Sequence, residues 1–110
     1  ENQRWPAAAL LRIHSDGRLS YDPIWRLAFG EEEQLILVLF GTGLRHHQGH
    51  VSAQIGAIQL PVLYAGPQGE FAGLDQLNLS LPRSLAGSGE MILKLSVDGH
   101  PANPLRLVIN

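Results

Sequence analysis

Residues 63–82, LYAGPQGEFAGLDQLNLSLP, contain the alternation that decides the fold of this chain. Apolar and polar side chains alternate through its second half: Leu77, Asn78, Leu79, Ser80 and Leu81. Because successive side chains of a strand point to opposite faces, the leucines are expected to face an apolar interior and the polar residues water. The glycines and prolines before this run indicate a loop between strands. The stretch therefore predicts a half-buried strand that follows a tight turn.

The loop residues of this stretch have structural roles in this interpretation. We expect Tyr64 to bury its ring at the end of a strand while its hydroxyl bonds a nearby backbone group. We expect Gly66, Gly69 and Gly73 to adopt positive φ angles, which glycine does without steric cost.

The rest of the chain repeats this strand-and-turn pattern. Strands are predicted at residues 7–14, 19–21, 35–40, 51–55, 58–64, 77–81, 91–97 and 105–109. The dipeptide Asp16-Gly17 predicts a hairpin, and the apolar run LILVLF at 35–40 predicts a central strand. Short strands separated by Gly and Pro, without a strong helix, are typical of a sandwich. We therefore predict an all-β fold, an immunoglobulin-like two-sheet β-sandwich of about seven strands, formed by residues 1–110 as one domain.

Composition excludes several classes of function. The chain is 45% hydrophobic and 16% charged, which is typical of a globular domain and not of a disordered one. Its net charge of −2 gives no basic footprint for nucleic acid. It has no Cys, which excludes disulfides and thiolate chemistry. The run at 35–40 is far shorter than the roughly 20 residues of a membrane span, so we expect no membrane insertion.

The candidate metal ligands are three histidines in the segment RHHQGH, namely His46, His47 and His50. Imidazole suits zinc, copper or nickel. However, Gly49 disfavours the helical turn that would place two of them on one face, and the segment contains no carboxylate. We predict a solvated loop and no cofactor, and a metal site completed by a distant carboxylate is the alternative.

The candidate ligand-binding residues are the aromatic side chains of Tyr21, Trp25 and Tyr64, which could stack on sugar rings if they are exposed. For Trp25, burial at one end of the core is the favoured interpretation.

No catalytic residues are predicted. His14, Ser15 and Asp16 are the residue types of a catalytic triad, but they lie in a strand and its turn without a nucleophile elbow. The acidic residues 31–33 are interpreted as a solvated turn, because the ligands of a calcium loop alternate with other residues and include a sharp glycine turn.

Six segments of the chain form distinctive motifs: PAAAL at 6–10, LFGTGLR at 39–45, LYAGP at 63–67, FAGLDQLN at 71–78, GSGE at 87–90 and VDGHPAN at 97–103. These motifs resemble a bacterial family of uncharacterised C-terminal domains at the ends of secreted acidobacterial (Solibacter-type) proteins. The resemblance implies an immunoglobulin-like sandwich that follows larger extracellular modules, and it implies no reaction. The chain departs from the family around residues 21–33, where any special function of this member is expected.

These observations favour a non-enzymatic extracellular accessory module, which spaces, supports or attaches a larger secreted or cell-surface bacterial protein, as in adhesion. The expected partners are neighbouring domains of the parent protein and a cell-surface glycan or protein. The alternative is a carbohydrate-binding module that uses exposed aromatic residues.

Overall fold

The computed structural model describes residues 4–22, 27–42, 51–67, 69, 75–97, 99–101 and 104–110. Within these residues the chain forms ten β-strands and one 3₁₀ turn, Arg83–Leu85. The strands are β1 Arg4–Ile13, β2 Leu19–Asp22, β3 Gln34–Thr42, β4 Val51–Ile55, β5 Ile58–Gln59, β6 Val62–Pro67, β7 Asp75–Leu81, β8 Gly89–Val97, β9 His100–Pro101 and β10 Leu105–Ile109. None of the helices among the described residues has the length and hydropathy of a membrane span.

The strands form two antiparallel sheets, which confirms the predicted all-β sandwich. Sheet A has the order β2-β1-β3-β7-β6, and sheet B has the order β10-β8-β4-β5 with β9 also paired to β8. The orders β1-β3-β7-β6 and β10-β8-β4 are those of strands A-B-E-D and G-F-C in an immunoglobulin sandwich. After β2 the chain reaches sheet B, where Leu27 forms a parallel bridge with Ile109. Strand β2 is thus an addition to the immunoglobulin framework, at the outer edge of sheet A.

One apolar core lies between the sheets. The predicted inward leucines of β7 are buried, and they lie opposite the buried leucines of β3 in register. On β8 the residues Leu93, Leu95 and Val97 are buried from the other side of the core. Period-two alternation thus identified the inner faces of both sheets, because the side chains of both interior faces must interdigitate.

The predicted strand 58–64 is wrong as one element. Its first part is β5, which pairs with β4 in sheet B, and its second part begins β6, which pairs with β7 in sheet A. Pro61 lies between the two and has no N–H group to donate to a ladder. The chain changes sheets there.

The prediction for the loop of residues 63–82 is partly wrong. Tyr64 is 43% exposed, although its hydroxyl does donate a hydrogen bond to the Pro67 carbonyl. Gly69 has the expected positive φ of 103°, whereas Gly66 does not lie among the residues with positive φ. A Cβ at Gly66 would lie 3.2 Å from the Tyr64 hydroxyl oxygen, so glycine gives the tyrosine side chain room there. Gly73 lies outside the described residues.

We expect Leu79→Ala to destabilise the fold by about 2–5 kcal/mol, because Leu79 is fully buried between the sheets and truncation leaves a cavity. Leu63→Ala is the matched control on the neighbouring strand, where the side chain is 55% exposed and a change within about 0.5 kcal/mol is expected. Urea unfolding followed by tryptophan fluorescence measures both. Equal destabilisation by the two variants would contradict the assigned inner face.

Candidate functional site

A polar cluster lies on the inner face of sheet A, where β1 and β2 join. A turn stabilised by a hydrogen bond from the Gly17 N–H to the His14 carbonyl, 2.9 Å long, connects the two strands. Gly17 has a φ of 89°, as the glycine of a three-residue hairpin loop requires. This confirms the hairpin that Asp16-Gly17 predicts, and the turn fixes the register of β2 against β1.

The hairpin register places four polar side chains on the inner face. Ser20 lies opposite Arg12, and Asp22 lies opposite Leu10. Residues directly opposite each other in an antiparallel pair share a face, and Leu10 is fully buried in the core. Arg12 and His14 follow Leu10 at intervals of two residues, so they share that face as well. The inner face therefore changes from apolar to polar along β1.

Arg12 connects three parts of the chain. Its Nε donates to Asp22 Oδ2 over 2.8 Å, and its Nη1 donates to Glu33 Oε1 over 2.5 Å. Its Nη2 donates to the Ala28 carbonyl over 2.8 Å. The guanidinium thus bonds β2, the segment after β2 and the turn before β3, and the Arg12 side chain is only 14% exposed.

His14 extends this cluster to a serine. Its Nδ1 lies 2.8 Å from Glu33 Oε2, and its Nε2 lies 2.8 Å from the hydroxyl oxygen of Ser20. An ionised carboxylate only accepts hydrogen bonds, so the Nδ1–H of His14 donates to Glu33. In a neutral His14, Nε2 then accepts a hydrogen bond from the Ser20 hydroxyl. Serine, histidine and carboxylate therefore form the hydrogen-bonded relay that nucleophilic hydrolases use.

The charges of the cluster support one another. The hydrogen bond from Arg12 holds the pKa of Glu33 below its ordinary value, and this outweighs burial, which acts to raise it. Burial acts to lower the pKa of Arg12, but the hydrogen bonds to Asp22 and Glu33 outweigh it and the pKa is raised. Both groups are therefore held in their charged forms at neutral pH.

The turn before β3 positions Glu33 for these contacts. Glu32 has a φ of 54°, the left-handed region that tight turns use. A Cβ at Gly30 would collide with the Glu33 carboxylate, so glycine leaves the space that this side chain occupies. Arg83 donates from the 3₁₀ turn to the carbonyls of Gly30 and Glu33 and lies 5.6 Å from the centre of the Phe29 ring.

Three N–H groups of the hairpin turn beside the relay already have acceptors. The N–H groups of His14 and Gly17 donate to backbone carbonyls, and the N–H of Arg18 donates to Asp16 Oδ1. These three N–H groups are therefore not free to stabilise an oxyanion, and such stabilisation contributes a large part of the rate of acyl transfer. The contacts of the polar cluster attach the added strand β2 to the sandwich.

A groove of about 420 Å³ adjoins this cluster at the outer end of sheet A. It is lined by Phe29, Glu33, Gln34, Ile36, Leu63, Ser80, Leu81, Pro82 and Arg83. Glu33 and Arg83, the charged residues of this described lining, are engaged in the contacts given above.

The structure keeps the described aromatic candidates apart. Tyr21 is on β2 and Tyr64 is on β6, and these strands are the opposite edges of sheet A. Four spacings of roughly 4.8 Å separate these two strands, which therefore lie about 19 Å apart. Trp25 lies outside the described residues, as do the metal candidates His46, His47 and His50. In the part of the chain that the structure describes, no three His, Asp or Glu side chains form a group that could hold a metal ion.

Sequence reasoning missed the cluster of Arg12, Ser20 and Glu33. It considered His14 with its chain neighbours Ser15 and Asp16, whereas the partners of His14 come from β2 and from the turn before β3. The signal was the hairpin itself: a turn centred on Asp16-Gly17 brings Ser20 opposite Arg12. The interpretation of residues 31–33 as a solvated turn holds for Glu31 and Glu32, which are exposed, and is wrong for Glu33.

Comparisons of this chain with protein-family models, with curated proteins and with solved structures found no match.

We expect the stability of the protein to fall as the pH falls below the unfolded pKa of Glu33, about 4.5, and on through its lower folded pKa. In that range the unfolded chain binds more protons than the folded one, so acid favours unfolding. Glu33→Gln should be less stable at neutral pH and should lose this part of the acid dependence. Urea midpoints from pH 7 to pH 3 measure it.

The matched control is Glu31→Gln, which neutralises an exposed carboxylate of the same turn and should keep the wild-type pH profile. If Glu33→Gln followed that profile as well, Glu33 would not stabilise the folded state through Arg12 and His14.

Proposed function

We propose that this chain is a non-enzymatic, extracellular accessory module, the C-terminal domain of a larger secreted or cell-surface bacterial protein, and that it serves to attach that protein. The observation that supports this most directly is that the side chains of the polar cluster make structural contacts. Its reactive groups bond one another and the backbone, and together they attach an added strand to an immunoglobulin-like framework. The family resemblance of residues 63–103 points to the same role.

Attachment requires a surface, and the added strand provides one. Leu19 and Tyr21 are 62% and 70% exposed on the outer face of sheet A. Large exposed apolar side chains that are neighbours on a strand are typical of a protein interaction site. Tyr21 lies at the start of residues 21–33, the segment in which the chain departs from the family it resembles.

A serine hydrolase is the competing enzymatic function, and the relay from Ser20 through His14 to Glu33 favours it. Against it stands the engagement of the N–H groups of His14, Gly17 and Arg18, because these groups are not free to stabilise the charge that a tetrahedral intermediate at Ser20 would develop. Arg12 also occupies one oxygen of Glu33 and leaves the other for His14, as a structural bridge between three segments does.

We expect a fluorophosphonate probe not to label Ser20, and we expect p-nitrophenyl acetate hydrolysis not to differ between the wild type and Ser20→Ala. Intact-protein mass spectrometry at pH 7–9 detects the label, and a known serine esterase is the positive control. Labelling of the wild type that is lost in both Ser20→Ala and His14→Gln would overturn the non-enzymatic proposal.

The carbohydrate-binding alternative is supported by the exposure of Tyr21. Because Tyr64 lies at the other edge of the sheet and its hydroxyl already donates to Pro67, one sugar ring cannot stack on both tyrosines. If the module binds glycans, we expect glycan-array signals that Tyr21→Ala removes and Tyr64→Ala retains. Loss with Tyr64→Ala alone would place the sugar at the other edge.

A further inference from the structure

The outer edge of β2 presents backbone groups that β1 does not use. In the hairpin, the N–H of His14 donates to the carbonyl of Arg18 over 2.8 Å, which fixes the phase of the ladder. At steps of two residues from this pair, Arg12 exchanges hydrogen bonds with Ser20 and Leu10 with Asp22. The intervening pairs, which contain Leu19 and Tyr21, do not. The N–H and C=O groups of Leu19 and Tyr21 therefore point away from β1. Within the described part of the chain, β2 is the outermost strand on this side of sheet A.

The side chains at this edge are apolar. Leu19 lies opposite Ile13 and Tyr21 lies opposite Leu11, all on the outer face. Natural sheets commonly protect an edge with proline, lysine or a bulge. The opposite edge, β6, has such protection, since it contains a bulge between Val62 and Tyr64 and ends at Pro67. Strand β2, with the sequence LSYD, has neither proline nor lysine, and its register with β1 is regular.

The sequence around Ser20 complements itself in the antiparallel direction. If two copies of β2 pair about Ser20, Leu19 of one copy lies opposite Tyr21 of the second copy, and their unused backbone groups face each other. In the same register Arg18 lies opposite Asp22 of the second copy, so opposite charges meet at both ends. The Arg18 side chain is 74% exposed, and although its Nε donates to Asp16 Oδ2, its two Nη groups carry further donors. The Asp22 carboxylate has room for donors besides Arg12.

We propose that β2 is a homotypic docking edge, at which the module binds a second copy of itself by antiparallel β2–β2 pairing centred on Ser20. This rests on the proposed attachment function and names its partner. The two sheets A become one continuous sheet across a two-fold axis, as closed dimers require. A general extended peptide could also add to an edge strand, but it would lack the charge pairs that self-pairing provides.

The contact is small, so the dimer is weak. The five residues per copy that this register pairs, residues 18–22, bury far less surface than a stable complex needs, and a dissociation constant of about 0.1–1 mM is expected. Several copies displayed together, as on a cell surface, would bind far more tightly through their combined contacts.

Sedimentation equilibrium of the full chain, at concentrations up to about 1 mM, tests the association. We expect reversible dimerisation of the wild type and at least about tenfold weaker dimerisation of Leu19→Lys, because two lysines would lie at the apolar pairs. Leu63→Lys is the matched control, since it places the same charge on an exposed leucine of the other edge. Both positions are exposed, so unchanged unfolding midpoints should show that both variants fold.

Disulfide cross-linking between introduced cysteines tests the register. No native cysteine competes, because the chain has none. Residues that exchange hydrogen bonds across an antiparallel pair have Cα atoms about 5.5 Å apart, which a disulfide can span. An oxidised mixture of Leu19→Cys and Tyr21→Cys should give the mixed dimer in excess over either homodimer. A mixture of Leu19→Cys and Leu63→Cys should show no such excess.

A monomeric wild type, equal weakening by Leu63→Lys, or no excess of the mixed disulfide would each overturn the homotypic edge. Binding of unrelated extended peptides with no self-association would replace it by general strand addition. These results are independent of fluorophosphonate labelling, so a failure of this proposal leaves the non-enzymatic function standing, and labelling of Ser20 would refute that function whether or not dimers form.

Discussion

The added strand of this protein depends on one guanidinium group. Arg12 donates to a carboxylate of β2, to a backbone carbonyl after β2 and to a carboxylate before β3. A planar group with five donors in a fixed fork can satisfy three acceptors in different directions, which the single ammonium of lysine cannot do with the same geometry. Without it, Asp22 and Glu33 would be two partly buried carboxylates without a shared cation, and desolvated charges that lack partners are strongly unfavourable.

The position of Arg12 explains why a charged network belongs inside a sandwich at all. Leu10, Arg12 and His14 share one face of β1, and exposure increases along them from a fully buried leucine to a histidine side chain that is 24% exposed. Along β1 the apolar core therefore ends at Leu10, and the polar cluster occupies the inner face from Arg12 onward. Exposed ion pairs contribute little to stability, whereas a half-buried network in which each charge has several partners contributes more.

The sequence predicted the framework better than it predicted the site, and the physical reason is the range of the interactions. Alternation at Leu77, Leu79 and Leu81, and the glycine turn at Asp16-Gly17, are local signals that show within a few residues. The contacts of Glu33 with Arg12 and His14 join residues about twenty positions apart, and they exist only because the hairpin and the turn before β3 meet. The division of residues 58–64 between two sheets was missed for a similar reason, since Pro61 marks an interruption but not where the chain goes next.

The polar cluster and the exposed edge follow from the same register. Side chains alternate along β2, so Leu19 and Tyr21 lie on the outer face when Ser20 and Asp22 contact His14 and Arg12 on the inner face. A slip of one residue would bring the two apolar side chains inward and leave Arg12 facing no carboxylate on β2, so the cluster selects against it. The network therefore does more than attach the strand: it determines which side of β2 meets solvent and which backbone groups lie at the open edge. The apolar surface of this module is thus a consequence of how its charged groups are satisfied.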